Sequence, residues 1–433
     1  MNKIAQLFSE PGFRRTLGYY WLIFCIGLNM AVLGPTLPAL ATQTQARLGD
    51  MGQLFLVGAI GGTLGTLLGG RLYDRLRGHV VLGTAQVVAG LLMLCIPFIP
   101  ALGWLLAVVA IKGVMDGLIN NGTNTLLVWT HREKVSPYMN GLHFCFGLGA
   151  FLAPLLVAQV VDIPGAYRWV YVGLAALAVL AGLRMVTMAG SPQAAHPVES
   201  EPGAVQLRHI PYSVVLAATL FLFFYVGAEI AFGGWVYTYV VELKLASTVQ
   251  AAYLTSGFWL AFTVGRLVSV PLATRFGPRQ IITVALLGCV FFMGLVFVFA
   301  DSAAVLWAAA LGVGFCMAPV YPSGFTLAVQ GLQLTAWASS IILLGDSCGG
   351  MILPWLVGQV LEAAGPRAMV YLVFGSLICD LLAFVGLLRA RSKVVVTYRT
   401  VKLIETERAF NRLSRTTTAR RKAASTKADS NDH

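Results

Sequence analysis

Charge is scarce in this 433-residue chain. Only 11% of residues are Asp, Glu, Lys or Arg, against about 25% in an ordinary soluble domain. That leaves too little polar surface for a water-soluble enzyme or a disordered chain. The seven cysteines, Cys25, Cys95, Cys145, Cys289, Cys316, Cys348 and Cys379, form no CxxC pair and all sit in apolar runs. A disulfide framework and a cysteine metal site are therefore excluded, and buried thiols are expected. Also missing are a nucleotide-binding loop, a metal-ligand cluster and a nucleophile–base pair. No cofactor, metal or covalent chemistry is expected, and the chain is not read as an enzyme.

What remains is apolar. The AVILMFWYC set makes up 58% of the chain, with 46 glycines and 18 prolines threaded through it, as in transmembrane helices. A crossing helix needs roughly 20 mostly apolar residues. Twelve segments qualify, numbered here as spans 1–12: 17–40, 51–73, 79–98, 102–129, 138–161, 168–188, 212–241, 248–272, 280–300, 303–328, 335–361 and 369–390. The first, broken by Pro35 and Pro38, reads as an uncleaved span. The expected organisation is a six-helix bundle over 1–190, a cytoplasmic linker over 191–210, a second bundle over 211–390 and a basic cytoplasmic tail over 391–433.

The two bundles are copies. Displacing the chain by 200 positions, without a gap, brings Gly27, Ala31 and Gly34 onto Gly227, Ala231 and Gly234, and Thr63, Gly65 and Arg75 onto Thr263, Gly265 and Arg275. The same displacement superposes Gly149, Pro154, Gln159 and Gly165 on Gly349, Pro354, Gln359 and Gly365. One register over distant segments marks an internal duplication. Basic residues near span ends gather on one side: Lys3, Arg14, Arg15, Arg71, Arg75, Arg77, Arg132, Lys134, Arg184, Arg208, Arg275, Arg279 and Arg389. The other side has Arg47, Arg168, Lys244 and Arg367. Both termini are thus expected in the cytoplasm. Eleven of the 30 basic residues lie from Arg391 onward, and this tail reads as attracted to anionic lipid rather than to nucleic acid.

Parallel six-span repeats are the architecture of a rocking transporter with its solute between the halves. Small residues four apart, Gly58/Gly62, Gly61/Gly65, Gly65/Gly69 and Gly113/Gly117, predict close helix contacts. After span 2 the chain reads Gly70-Arg71-Leu72-Tyr73-Asp74-Arg75, with Leu272 and Arg275 in the mirrored loop. An aspartate at a helix end beside arginines can latch the halves in one state and release them in the other. Gly70, Asp74, Arg75, Arg266 and Arg275 are the candidate conformational gate.

Here the sequence resembles the major facilitator superfamily, whose loop between helices 2 and 3 carries a GxLxDRxGR pattern. Four shorter runs, Leu33-Gly34-Pro35-Thr36-Leu37-Pro38, Asn121-Gly122-Thr123-Asn124, Leu142-His143-Phe144-Cys145 and Gly227-Ala228-Glu229-Ile230, look like its sodium-dependent glucose transporter-like branch, itself similar to fucose permeases. The resemblance implies an all-α, twelve-helix fold in two pseudo-symmetric halves. It also implies a secondary active transporter working by alternating access on a small polar solute, a sugar, with H+ or Na+ symport. The alternatives are an exporter of amphiphiles or lysolipids, and a non-transporting sensor on the same fold. A monomer in the cell membrane is expected, with an organellar membrane left open.

Ionisable groups at bilayer depth cost about 2.5–3.5 kcal/mol each, so Lys112, Asp116, Glu229, Asp346 and Asp380 must pair, titrate or face water. On span 4, Lys112, Asp116, Asn120 and Asn124 recur every fourth residue and climb roughly 18 Å of one helix face. Asparagines both donate and accept, which suits hydroxyl-rich solutes, whereas Lys112 and Asp116 can equally neutralise each other. The candidate solute-binding residues are Asn29, Asn120, Asn121, Asn124, His143, Glu229, Trp235, Tyr239, Trp259 and Tyr321. Asp116, Lys112, Glu229 and Asp346 are the candidate coupling residues. The resemblance places an acid in span 4, nearest to Asp116 or, in another alignment, at Asn120, and another in span 1, where this chain has Asn29; position 229, the mirror of 29, carries the acid instead. Asp380, on span 12, is read as a structural partner.

Overall fold

The computed structural model describes residues 11–192, 211–299, 302–329 and 336–392, and every long element among them is an α-helix. The greater part of the linker (193–210) and of the tail (393–433) lies outside the described residues. Eleven helices are long and apolar enough to cross a bilayer, and a bent pair supplies the twelfth. The spans are Pro11–Ala31 with Leu33–Thr44, Gly52–Arg75, Gly78–Cys95, Leu102–His131, Val135–Ala158, Tyr167–Val186, Tyr212–Glu242, Thr248–Arg275, Pro278–Val298, Ala303–Met317 with Val320–Val329, Ala336–Ala364 and Ala368–Ser392.

Span 1 bends by 51° between its two helices, and its sequence explains where. Pro35 has no N–H to give to the Ala31 carbonyl, and its ring crowds that oxygen. Span 7 carries Trp235 and Thr238 where span 1 has Pro35 and Pro38. It runs unbroken for 31 residues. Two copies of one helix therefore differ in shape because of two prolines. Span 10 also departs from its mate, breaking at Pro319 between Ala303–Met317 and Val320–Val329 where span 4 runs unbroken from Leu102 to His131, but the turns agree. The turns after spans 5 and 11 each need a left-handed residue, supplied by Gly165 (φ 74°) and Gly365 (φ 78°), which glycine adopts without steric cost.

Glycine also sets the packing. Span 2 lies along span 4, span 1 along span 5, span 3 along span 6, span 7 along span 11 and span 8 along span 10. A Cβ at Gly61 or Gly65 would run into the carbonyls of Ala110 or Val114, and one at Gly113 or Gly117 into those of Gly58 or Gly62. The small-residue stripes thus bring the backbones of spans 2 and 4 together, as expected of membrane helices. Gly117→Val should lower stability by about 4 kcal/mol or more, the scale of an overpacking defect that backbone cannot relieve. Gly103→Val, where a Cβ meets nothing within 4 Å, should be neutral. Thermal unfolding in detergent compares the two.

The halves meet along spans 5 and 8 and along spans 2 and 11. We call the end holding the loops 2–3, 4–5 and 8–9 the basic end, and the opposite end the far end. At the far end and mid-bundle the halves touch: Gly34 lies against Gly233 and Gly234, Gly52 against Trp355 and Gly358, and Gly147 against Thr263. Ser256 Oγ donates to the Phe151 carbonyl at 2.7 Å. At the basic end, Leu67, Leu68, Arg71 and Asp74 of span 2 and 270–276 of span 8 are exposed, and a Cβ at Gly70 would meet nothing within 4 Å. The space between the halves therefore opens toward the basic end.

Candidate functional site

The densest set of charges inside the bundle belongs to the second half. Glu229 sits in mid-span 7 and is 7% exposed. One turn earlier Tyr225 places its ring beside it, with the hydroxyl next to the carboxylate and donating to the Met317 carbonyl at 2.8 Å. Tyr321, on the second segment of span 10, donates to Asp346 Oδ2 of span 11 at 3.1 Å. The Tyr225 and Tyr321 rings, 6.4 Å apart, carry the two carboxylates on one wall. Arg266 of span 8 is the cation whose field reaches Glu229 and both tyrosines.

Arg266 makes no ion pair with a described residue. Its guanidinium instead lies over Phe262, 4.7 Å from the ring centroid, in the geometry of a cation–π contact. Its Nε is buried without a hydrogen-bond partner. Across the interface stands His143 of span 5, near enough to feel Arg266 and exposed although it lies eight residues inside its helix. His143 thus faces the open space between the halves. The first half has no equivalent of this cluster: positions 29, 66 and 146, mirrors of Glu229, Arg266 and Asp346, are Asn, Thr and Phe.

Span 4 carries the polar ladder of the first half. Lys112 Nζ bonds Asp116 Oδ2 at 2.6 Å, with Lys112 buried and the Asp116 side chain 27% exposed. Asp116 Oδ1 has no partner. Asn120 is exposed between the buried Ile119 and Gly122, and Asn124 Nδ2 donates to its carbonyl at 2.8 Å. Asn121 instead reaches span 2, donating to the Thr66 carbonyl at 2.8 Å. Asn29 is buried with neither amide atom bonded.

The aromatic candidates divide. Trp235 is fully buried and its Nε1 donates to the Pro354 carbonyl at 2.9 Å, so its donor is already used. Tyr239 is fully buried near the far end of the same span. Trp259 is 1% exposed and stacks edge-on against Phe258 and Phe262. Its Nε1 has no partner, an uncommon state for a buried indole. Of the gate candidates, Gly70, Asp74, Arg75 and Arg275 lie at the basic end, exposed, and Asp74 makes no ion pair among the described residues. Arg266 lies deeper, with the carboxylates. Tyr225 and Phe262, which position Glu229 and Arg266, were not singled out in the sequence. Spacing held the signal: each stands four residues, about one helical turn, before the charge it supports.

The sequence profile of the Major Facilitator Superfamily matches residues 19–336. The chain belongs to that superfamily. It is accordingly a multi-pass membrane protein and a solute transporter. Among its relatives, "Sodium-dependent glucose transporter 1A" of Mus musculus is 27% identical, the match covering 83% of this chain and 92% of that one. "Major facilitator superfamily domain-containing protein 4A" of Homo sapiens is 25% identical over 84% and 89%. A D-xylose-proton symporter structure superposes with a TM-score of 0.69 at 15% identity, covering 87% of this chain and 96% of the other. The nucleoside transporter NupG superposes with 0.68 at 14% identity, covering 87% and 99%. These two likenesses concern the fold. Glu229, Arg266, Tyr321 and Asp346 belong to the second half and His143, which feels Arg266, to the first, and a carrier of this architecture binds its solute between its halves.

Proposed function

We propose that this transporter carries a neutral sugar together with a sodium ion by alternating access, with both termini in the cytoplasm of a cell that holds it in its plasma membrane. The observation that carries the reading is the charge count of the cluster: two carboxylates, Glu229 and Asp346, against one guanidinium that pairs directly with neither. At bilayer depth an uncompensated negative charge is costly, and a bound cation supplies the missing charge. The sugar's hydroxyls then find donors on Arg266 and His143 and both donors and acceptors on Asn120 and Asn124. The names of the glucose-transporter relatives support the sugar and the sodium, and the excess of basic residues at one end supports the orientation.

Purified protein in proteoliposomes tests this with radiolabelled hexoses under an inward sodium gradient. Uptake should require sodium. In Glu229→Gln, which removes the excess charge but keeps shape and hydrogen bonding, uptake should become independent of the gradient while sugar counterflow persists. Counterflow that fails for every hexose in wild type would remove the sugar, and gradient-driven uptake that Glu229→Gln leaves intact would remove Glu229 as the coupling group.

A further inference from the structure

The far end is closed by contacts that the internal repeat supplies twice. Asp162, just past span 5 in the first half, accepts a hydrogen bond from Thr248 Oγ1 at the first residue of span 8 in the second half. Glu362, near the end of span 11 in the second half, accepts from the Gly49 backbone N–H at 2.8 Å, at the first residue of the turn that opens span 2 in the first half. Positions 162 and 362 are mates under the 200-residue displacement, and 49 lies one place from 48, the mate of 248. Each half thus offers one carboxylate to a helix start in the other, the reciprocal arrangement expected of a two-fold interface.

Both receiving ends are built alike. At span 8, Gln250 Oε1 accepts from Ser247 N at 3.1 Å; at span 2, the mate Asp50 accepts through Oδ2 from Arg47 N at 3.2 Å. Both giving ends are also alike, since Asp162 and Glu362 each stand three residues before the left-handed glycines, Gly165 and Gly365. The contact at Gly49 admits no side chain, because a Cβ there would strike Glu362 Cγ and the Gly358 carbonyl. Gln159, one turn before Asp162, adds a third bridge, donating to Tyr253 Oη at 3.2 Å.

We propose that Asp162 and Glu362 are a repeat-related pair of positioning residues that hold the far end of the transporter shut, Glu362 on the Gly49 N–H ahead of span 2 and Asp162 on the Thr248 hydroxyl at the start of span 8. Partial positive charge at a helix start favours a carboxylate there, and a hydrogen bond to a charged acceptor, whether from the Gly49 N–H or the Thr248 hydroxyl, is stronger than a neutral one. Loss of either bond should move the population toward a state open at the far end and closed at the basic end. This inference rests on the alternating-access reading above, but its test needs no solute.

Hydrogen exchange of the full-length chain in lipid nanodiscs reads both ends at once. In Glu362→Ala and in Asp162→Ala, exchange should rise about tenfold over 45–56 and 246–254, the size of effect expected when a charge-assisted hydrogen bond is lost, and fall over 69–76 and 267–276. Gly49→Val, which wedges the same contact from the other side, should give the same pattern. Glu362→Gln, which keeps an acceptor for Gly49, should lie between. Glu242→Ala, exposed at the same end but outside the interface, should change neither. Exchange that is unaltered, or that rises at both ends in all three disruptive variants, would overturn the latch. A protein that transports no sugar yet shows the reciprocal pattern would keep it.

Discussion

Arg266→Leu should reduce transport by at least about a hundredfold and destabilise the protein in the same stroke. The guanidinium is the cation that Glu229 and the two tyrosines feel, and removing the partner of buried charge costs about 3–5 kcal/mol, equal to roughly two to four decades in an equilibrium constant. Glu229→Gln in the Arg266→Leu background should restore much of the stability, because one uncompensated carboxylate goes with the cation. It should not restore transport, because the donors that face the solute stay missing. Thermal unfolding and sodium-driven uptake, measured on the two single variants and the double, separate these roles. If the double variant is no more stable than Arg266→Leu, Arg266 does not compensate Glu229, and its cation–π seat on Phe262 would be its main attachment. Arg266→Lys is the sharper control. It keeps the charge but loses the planar fork, so it should retain stability better than uptake.

Much of the fold was legible in the sequence because its determinants are local or periodic. Twelve apolar stretches predicted the spans, Pro35 and Pro38 marked the break in span 1, and the glycine stripes marked where spans 2 and 4 touch. Side chains in span 7 were harder to place. That helix is apolar on every face, so nothing in its pattern distinguishes the face turned to the other half from the face turned to its own bundle. Trp235 and Tyr239 share the helix with Glu229, yet they lie in its packed core near the far end, whereas Glu229 joins the cluster at its middle. The span 4 ladder was legible as a stripe, because four polar residues at one helical interval stand out in an apolar sequence. The pairing of Lys112 with Asp116 was one of the two readings open for that stripe, and it forms; that Asn121 turns aside to span 2 was not legible. Arg266 was grouped with the gate because it read as lying nearer the end of its span. Nine residues of helix separate it from Arg275, about 13 Å of rise, and this distance takes Arg266 from the end of the bundle to the charge cluster. Asp162 and Glu362 lay just past the apolar stretches read as spans 5 and 11, where no periodicity marks them. Only the 200-residue register brings them together.

Asp380→Leu should raise the melting temperature by several degrees and leave sodium-driven uptake near the wild-type level. Asp380 is fully buried in span 12 and neither carboxyl oxygen has a hydrogen-bond partner. Its surroundings are the second bundle's own packing: Cys289 of span 9 lies near it, and one turn earlier Ser376 ties span 12 to span 7 by donating to the Phe224 carbonyl at 2.9 Å. A polar group buried without a partner costs about 2–7 kcal/mol, depending on the reference state, and a leucine of comparable size has no such debt. Position 180, the mirror of 380, is already a leucine, and it is exposed on span 6. The substitution therefore asks whether the acid is a structural defect or a retained function. A stabilised variant with full uptake makes it a defect. A stabilised variant that has lost uptake or its sodium dependence would mean that the fold keeps a costly carboxylate behind the Tyr225 wall because transport uses it, and the coupling machinery would then extend from Glu229 into span 12.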